Sequence, residues 1–117
     1  MGPLAGFRII EVAGLGPGPF CGMMLGDMGA EVIRIDRPGT HARQRLDPLC
    51  RNRRSIVLDL KSPPAVEVLL RLVETADALY GGFRPGVAER LGFGPEACMA
   101  RNPRLVYASL NGFSEAG

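Results

Sequence analysis

The sequence predicts an α/β fold, a parallel sheet with helices covering both of its faces. Three observations lead there. Five short apolar runs suit buried strands: FRIIEVA, EVIRID, SIVLDL, DALYGGF and RLVYASLNGF. Stretches with helical apolar spacing separate most of them, and strands that alternate with helices of this length build parallel sheets. The chain has 117 residues, of which 46% are hydrophobic and 22% charged. That makes one domain able to bury about 60 to 70% of the surface its unfolded chain exposes.

In chain order, FRIIEVA (7–13) is the first strand, and GLGPGP (14–19) is the loop after it. PFCGMMLGDMGA (19–30) carries helical spacing, and EVIRID (31–36) alternates as a second strand that Pro38-Gly39 ends. Residues 40 to 54, THARQRLDPLCRNRR, lack a period and form a polar excursion. SIVLDL (55–60) is the third strand. A helix follows over 63–76, with Pro63 and Pro64 confined to the first turn, where no donor is lost. DALYGGF (77–83) is a fourth strand, 85–92 and 95–102 are short helices, and 104–113 is a fifth strand.

Charge and cysteine content exclude several classes. The formal net charge of +2 is too small to imply a polyanion partner. The arginines of the excursion (Arg43, Arg45, Arg51, Arg53, Arg54) lack the aromatic interleaving of a nucleic-acid binder, so no nucleic acid is expected. Cys21, Cys50 and Cys98 lie far apart with a single histidine, His41, so no metal site is indicated and a reduced, cytoplasmic setting fits. The N-terminus MGPLAGF has neither a signal-peptide pattern nor the Ser or Thr of a myristoylation signal, and no apolar stretch is long enough to span a membrane.

In open α/β sheets, ligands collect beyond the C-terminal ends of the strands. Four pieces end there: the Gly-Pro loop, Asp36-Arg37, Lys61 and the run GGFRPG. Gly14-Leu15-Gly16 begins like a dinucleotide fingerprint, with Asp36 where its acid belongs. Pro19 stands in place of the third glycine, however, and Pro17 and Pro19 remove N–H groups that a pyrophosphate would use, which disfavours NADP. In GGFRPGVAERLG (81–92), Gly81 and Gly82 permit close approach to a ligand and Phe83 offers a flat apolar face. Arg84 and Arg90 can serve a phosphate near the start of the following helix. Thirteen of the fourteen basic residues are arginine, the type suited to two-pronged phosphate contacts, and Lys61 is the only lysine. Glu11, Asp27, Asp59 and Asp77 show no spacing of a catalytic pair, and nothing near His41 in sequence orients it as an acid or base.

The order GFRIIEVAGLGPGPFCGMMLGDMGAEVIRIDRPG, RNRRSIVLDLK, GGFRPGVAERLGFGPE and NPRLVYASLNGF resembles the N-terminal part of the class III CoA-transferase superfamily, most closely its α-methylacyl-CoA racemases. The likeness covers essentially the whole chain apart from the loop 40–50. It implies a Rossmann-like sheet over 1–117, the CoA-binding portion of a longer protein whose second domain lies outside this sequence, and a homodimer for the family. It implies an acyl-CoA thioester as substrate, with no separate cofactor. By matching motif positions, Arg37, Leu58, Lys61, Gly82, Phe83, Arg84 and Arg90 correspond to the CoA-contacting residues, and Arg51 more weakly. CoA carries a 3′-phosphorylated ADP, which accounts for an arginine beside the ribose-level acid. The implied reaction is epimerisation of 2-methylacyl-CoA thioesters by α-proton exchange. Acyl transfer by a class III CoA-transferase and a non-catalytic CoA-binding or assembly module are the alternatives. In the family the catalytic residues follow the NGF-like motif in a Gly-His-Asp segment beyond Gly117, so no catalytic residue is assigned here. Ser114 also departs from the family's usual GFG.

Overall fold

Apolar side chains place the three central strands in the middle of a two-sided core, and the computed structural model shows both sides filled there, while the two outer strands are largely exposed. It describes residues 2–12, 17–38, 53–83 and 86–110. The strands are β1 (Arg8–Val12), β2 (Glu31–Asp36), β3 (Arg53–Val57), β4 (Ala78–Gly81) and β5 (Val106–Ser109). The helices are α1 (Pro17–Asp27), α2 (Pro63–Val73), α3 (Val87–Leu91) and α4 (Pro95–Arg101). All strand pairs are parallel and the order is β3-β2-β1-β4-β5. Register sets Glu11 opposite Arg34 and Tyr80, and Asp36 opposite Val57.

On one face Ile10, Val12, Ile35 and Leu79 pack with Val66, Leu69, Leu70 and Val73 of α2, Ala88 of α3 and Cys98 of α4. On the other, Ile9, Val32 and Tyr80 pack with Cys21 and Leu25 of α1. The predicted parallel sheet with helices on both faces is therefore present.

Element boundaries differ from the sequence reading where a tertiary contact intervenes. β3 begins at Arg53, two residues before SIVLDL, because the Arg53 guanidinium is buried against Glu11 rather than solvated. It stops at Val57, because Asp59 turns the chain: its carboxylate accepts the Lys61 N–H at 3.1 Å and its carbonyl the Ser62 N–H at 2.9 Å. α1 starts at Pro17, since a helix's first N–H groups have no intrahelical partner to lose.

The ends of α2 and α4 are tied by side chains. Asn102 Nδ2 donates to the carbonyls of Val73 and Ala76, and Arg101 donates to Glu67 and Glu74. Asp77 accepts the Arg8 backbone N–H and thereby aligns the N-terminal ends of β1 and β4.

Candidate functional site

Because every strand points the same way, the residues that follow them gather at one edge, and the order reverses between β1 and β4 to open the crevice where such sheets take ligands. Arg37 follows β2 directly and is exposed. Leu58 follows β3; its N–H donates to the Asp36 carbonyl at 2.9 Å, which joins the tips of β2 and β3. Lys61 is exposed in the turn before α2. Across the crevice, Gly82 follows β4 and is exposed, and Phe83 packs edge-on against Phe93 with ring centroids 5.2 Å apart. Arg90 is exposed on the last turn of α3. From β3 to β4 the edge spans three strand spacings, about 15 Å, which suits an elongated ligand. Arg84, Arg51, His41 and the Gly14-Leu15-Gly16 turn lie outside the described residues.

Glycine has different reasons at two neighbouring positions. A Cβ at Gly81 would meet the Phe83 ring at 2.5 Å, so this glycine lets Phe83 fold back onto the strand tip. Among the described residues, a Cβ at Gly82 would meet only the Leu110 carbonyl, at an ordinary 3.5 Å. None of the described residues around it requires glycine there.

Beneath this edge, on the α1 face, lies a cluster that the sequence reading did not find. Glu11 of β1, Arg34 and Asp36 of β2, and Arg53 of β3 have side chains at most 5% exposed. Arg53 Nε donates to Glu11 at 2.8 Å, Arg34 Nη1 to Glu11 at 3.1 Å, and Arg34 Nε to Asp36 Oδ1 at 2.7 Å. A further N–H of Arg53 donates to the Pro19 carbonyl. Among the described residues, the buried Asp36 Oδ2 finds no hydrogen-bond partner.

Burial raises the Glu11 carboxyl above its ordinary range, against the pull of Arg53 and Arg34 and a hydrogen bond from Tyr80. Burial, followed by the Glu11 charge, raises the Cys21 thiol and pushes the Tyr80 hydroxyl far up. Both shifts favour the protonated forms of Tyr80 and Cys21. The sequence did hold a signal: an acid in an otherwise apolar strand, IIEV, and an arginine at an inward position of VIRID.

Among the described residues no three His, Cys, Asp or Glu side chains converge to hold a metal. No described helix is long and apolar enough to cross a membrane.

The strand order and the ligand-accepting edge define a Rossmann-like α/β protein. More narrowly, the chain belongs to CoA-transferase family III, whose model matches residues 4–117. It is 50% identical over 114 residues to the alpha-methylacyl-CoA racemase of Homo sapiens, covering 97% of this chain and 29% of that protein. With the succinyl-CoA–D-citramalate CoA-transferase of Chloroflexus aurantiacus it shares 36% identity over 128 residues, covering 98% of this chain and 32% of that protein. The crystal structure of Rv3272 from M. tuberculosis superposes with a TM-score of 0.89 at 37% identity, covering 99% of this chain and 36% of that one. The chain therefore spans about a third of the length of the relatives it matches.

Proposed function

We propose that the C-terminal edge of the sheet binds the 3′-phospho-ADP of an acyl-CoA thioester, and that the chain is the nucleotide-binding portion of an enzyme epimerising 2-methylacyl-CoA thioesters by α-proton exchange. The observation that carries the nucleotide reading is the placement of Arg37, exposed and immediately beyond the tip of β2, at the switch-point edge. Leu58, Lys61, Gly82, Phe83 and Arg90 flank the same edge, and none of the described residues crowds Gly82. The higher identity to the racemase than to the transferase favours α-proton exchange over acyl transfer. The racemase resemblance carries with it a dimeric, cytoplasmic enzyme of fatty acid metabolism that uses the thioester as substrate and no separate cofactor.

The test is calorimetric titration of the chain with CoA and with 3′-dephospho-CoA. CoA binds more tightly, and Arg37→Ala removes most of the difference: an arginine–phosphate contact contributes about 1.5 to 3 kcal/mol, roughly 10- to 150-fold in affinity. Equal affinities in the unsubstituted chain would sink the role given to Arg37. Absence of binding would sink the site.

A further inference from the structure

We propose that Arg53 is a positioning residue for nucleotide binding, holding the first turn of α1 and the tip of β2 in one rigid frame. The inference rests on the CoA reading above and goes beyond it, because Arg53 lies below the ligand edge.

The geometry is a chain of hydrogen bonds that runs from the first turn of α1 to the tip of β2. Arg53 reaches from the first residue of β3 to the Pro19 carbonyl in the first turn of α1 and, through Nε, to Glu11 Oε1 at 2.8 Å. Glu11 Oε2 accepts from Arg34 Nη1 at 3.1 Å, and Arg34 Nε holds Asp36 Oδ1 at 2.7 Å. Asp36 is the residue before Arg37. The helix start that borders the crevice and the arginine given to the 3′-phosphate are thus linked through buried, charge-assisted bonds. Gly22 leaves the space for this: a Cβ there would stand 2.6 Å from both Nε and Nη2 of Arg53 and closer still to Glu11.

Stability alone is a poor explanation for such a network. Taking four charges out of water costs several kcal/mol per ion, and apolar side chains of similar volume often hold a core as well or better. What apolar side chains cannot do is fix direction. The guanidinium is a planar fork that serves the Pro19 carbonyl and the Glu11 carboxylate together, whereas a lysine ammonium is a point charge on a flexible stem. Arg53→Lys therefore keeps the charge and loses the frame.

The experiment measures the affinity of the chain for CoA and for 3′-dephospho-CoA in three forms, unsubstituted, Arg53→Lys and the exposed control Arg104→Lys, with thermal unfolding recorded for each. The expected result for Arg53→Lys is a loss of about tenfold in CoA affinity, the size of one lost charge-assisted hydrogen bond, and a CoA to 3′-dephospho-CoA ratio that moves toward one. Arg104→Lys leaves both affinities unchanged. A purely structural Arg53 lowers the melting temperature and leaves the ratio at its original value, and that result overturns the proposal. If Arg53→Lys does not fold, Asp36→Asn is read in its place. It is isosteric but removes the negative charge that strengthens the Arg34 bond and so loosens the frame at the tip of β2; the same fall in ratio supports the frame and an unchanged ratio overturns it. An unsubstituted chain that binds neither ligand fails the CoA reading and this inference together. A chain that binds CoA selectively while Arg53→Lys behaves identically fails this inference alone.

Discussion

Gly22 decides how closely α1 can lie on the sheet. In most helices alanine would be the better residue by up to about 1 kcal/mol. Here the added methyl would press into the Arg53–Glu11 ion pair, whose atoms are fully buried and bonded on several sides. Overpacking of this kind costs roughly 1 to 3 kcal/mol, so it outweighs the gain in propensity. Gly22→Ala is expected to be destabilised by about that amount, read as a lower denaturant midpoint with an unchanged slope; a stabilised variant would contradict the packing described. Residue-scale features of this sort are the least legible in one sequence. Arg37 and Gly82 can be singled out because each follows directly on a strand or a Gly-rich turn. Glu11 and Arg53 are 42 positions apart and meet only through the strand order. No local spacing records that meeting, so an acid without a nearby partner in sequence reads as unremarkable.

At the scale of elements, the periodic segments are readable and their ends are not. The strand EVIRID falls where alternation puts it, residue for residue, and α2 begins at Pro63 as its two leading prolines require. Its end is another matter. α2 stops at Val73 where Asn102, 29 positions away, caps the last carbonyls. The same pair of helices carries a pH dependence. A hydrogen bond from Arg101, with its charge and that of Arg71, holds the Glu67 carboxyl below its ordinary 4.5. A depressed carboxyl contributes stability that is present above its unfolded value and is lost as pH falls through the folded one. The advantage of the natural chain over Glu67→Gln is therefore expected at neutral pH and to vanish on acidification below about pH 4.5, in thermal melts taken across that range. An advantage that persists in acid would show that the Arg101 contact is not ionic in origin. Because these groups are exposed, the effect is small and weakens with salt.

For the molecule as a whole, the sheet class and the position of the ligand edge follow from alternation and from the rule for parallel sheets, whereas the order β3-β2-β1-β4-β5 had to be seen. That order also governs how the molecule comes together. β1 meets β2 across a short stretch, with Glu11 and Arg34 separated by 23 positions, but it meets β4 only after a chain of 69 positions closes from Arg8 to Asp77. Closing a loop three times as long costs about 1 kcal/mol more, before any contact repays it. The β1–α1–β2 unit is thus expected to assemble first; in pulse-labelled hydrogen exchange the amides of Ile33 and Ile35 gain protection before those of Leu79 and Tyr80, and the reverse order would refute this. The switch-point crevice between β1 and β4 comes into being only at that second, slower closure. A nucleotide held there has nothing to grip in the early chain, so it acts as a latch on the finished molecule: it slows unfolding and leaves the rate of folding nearly untouched.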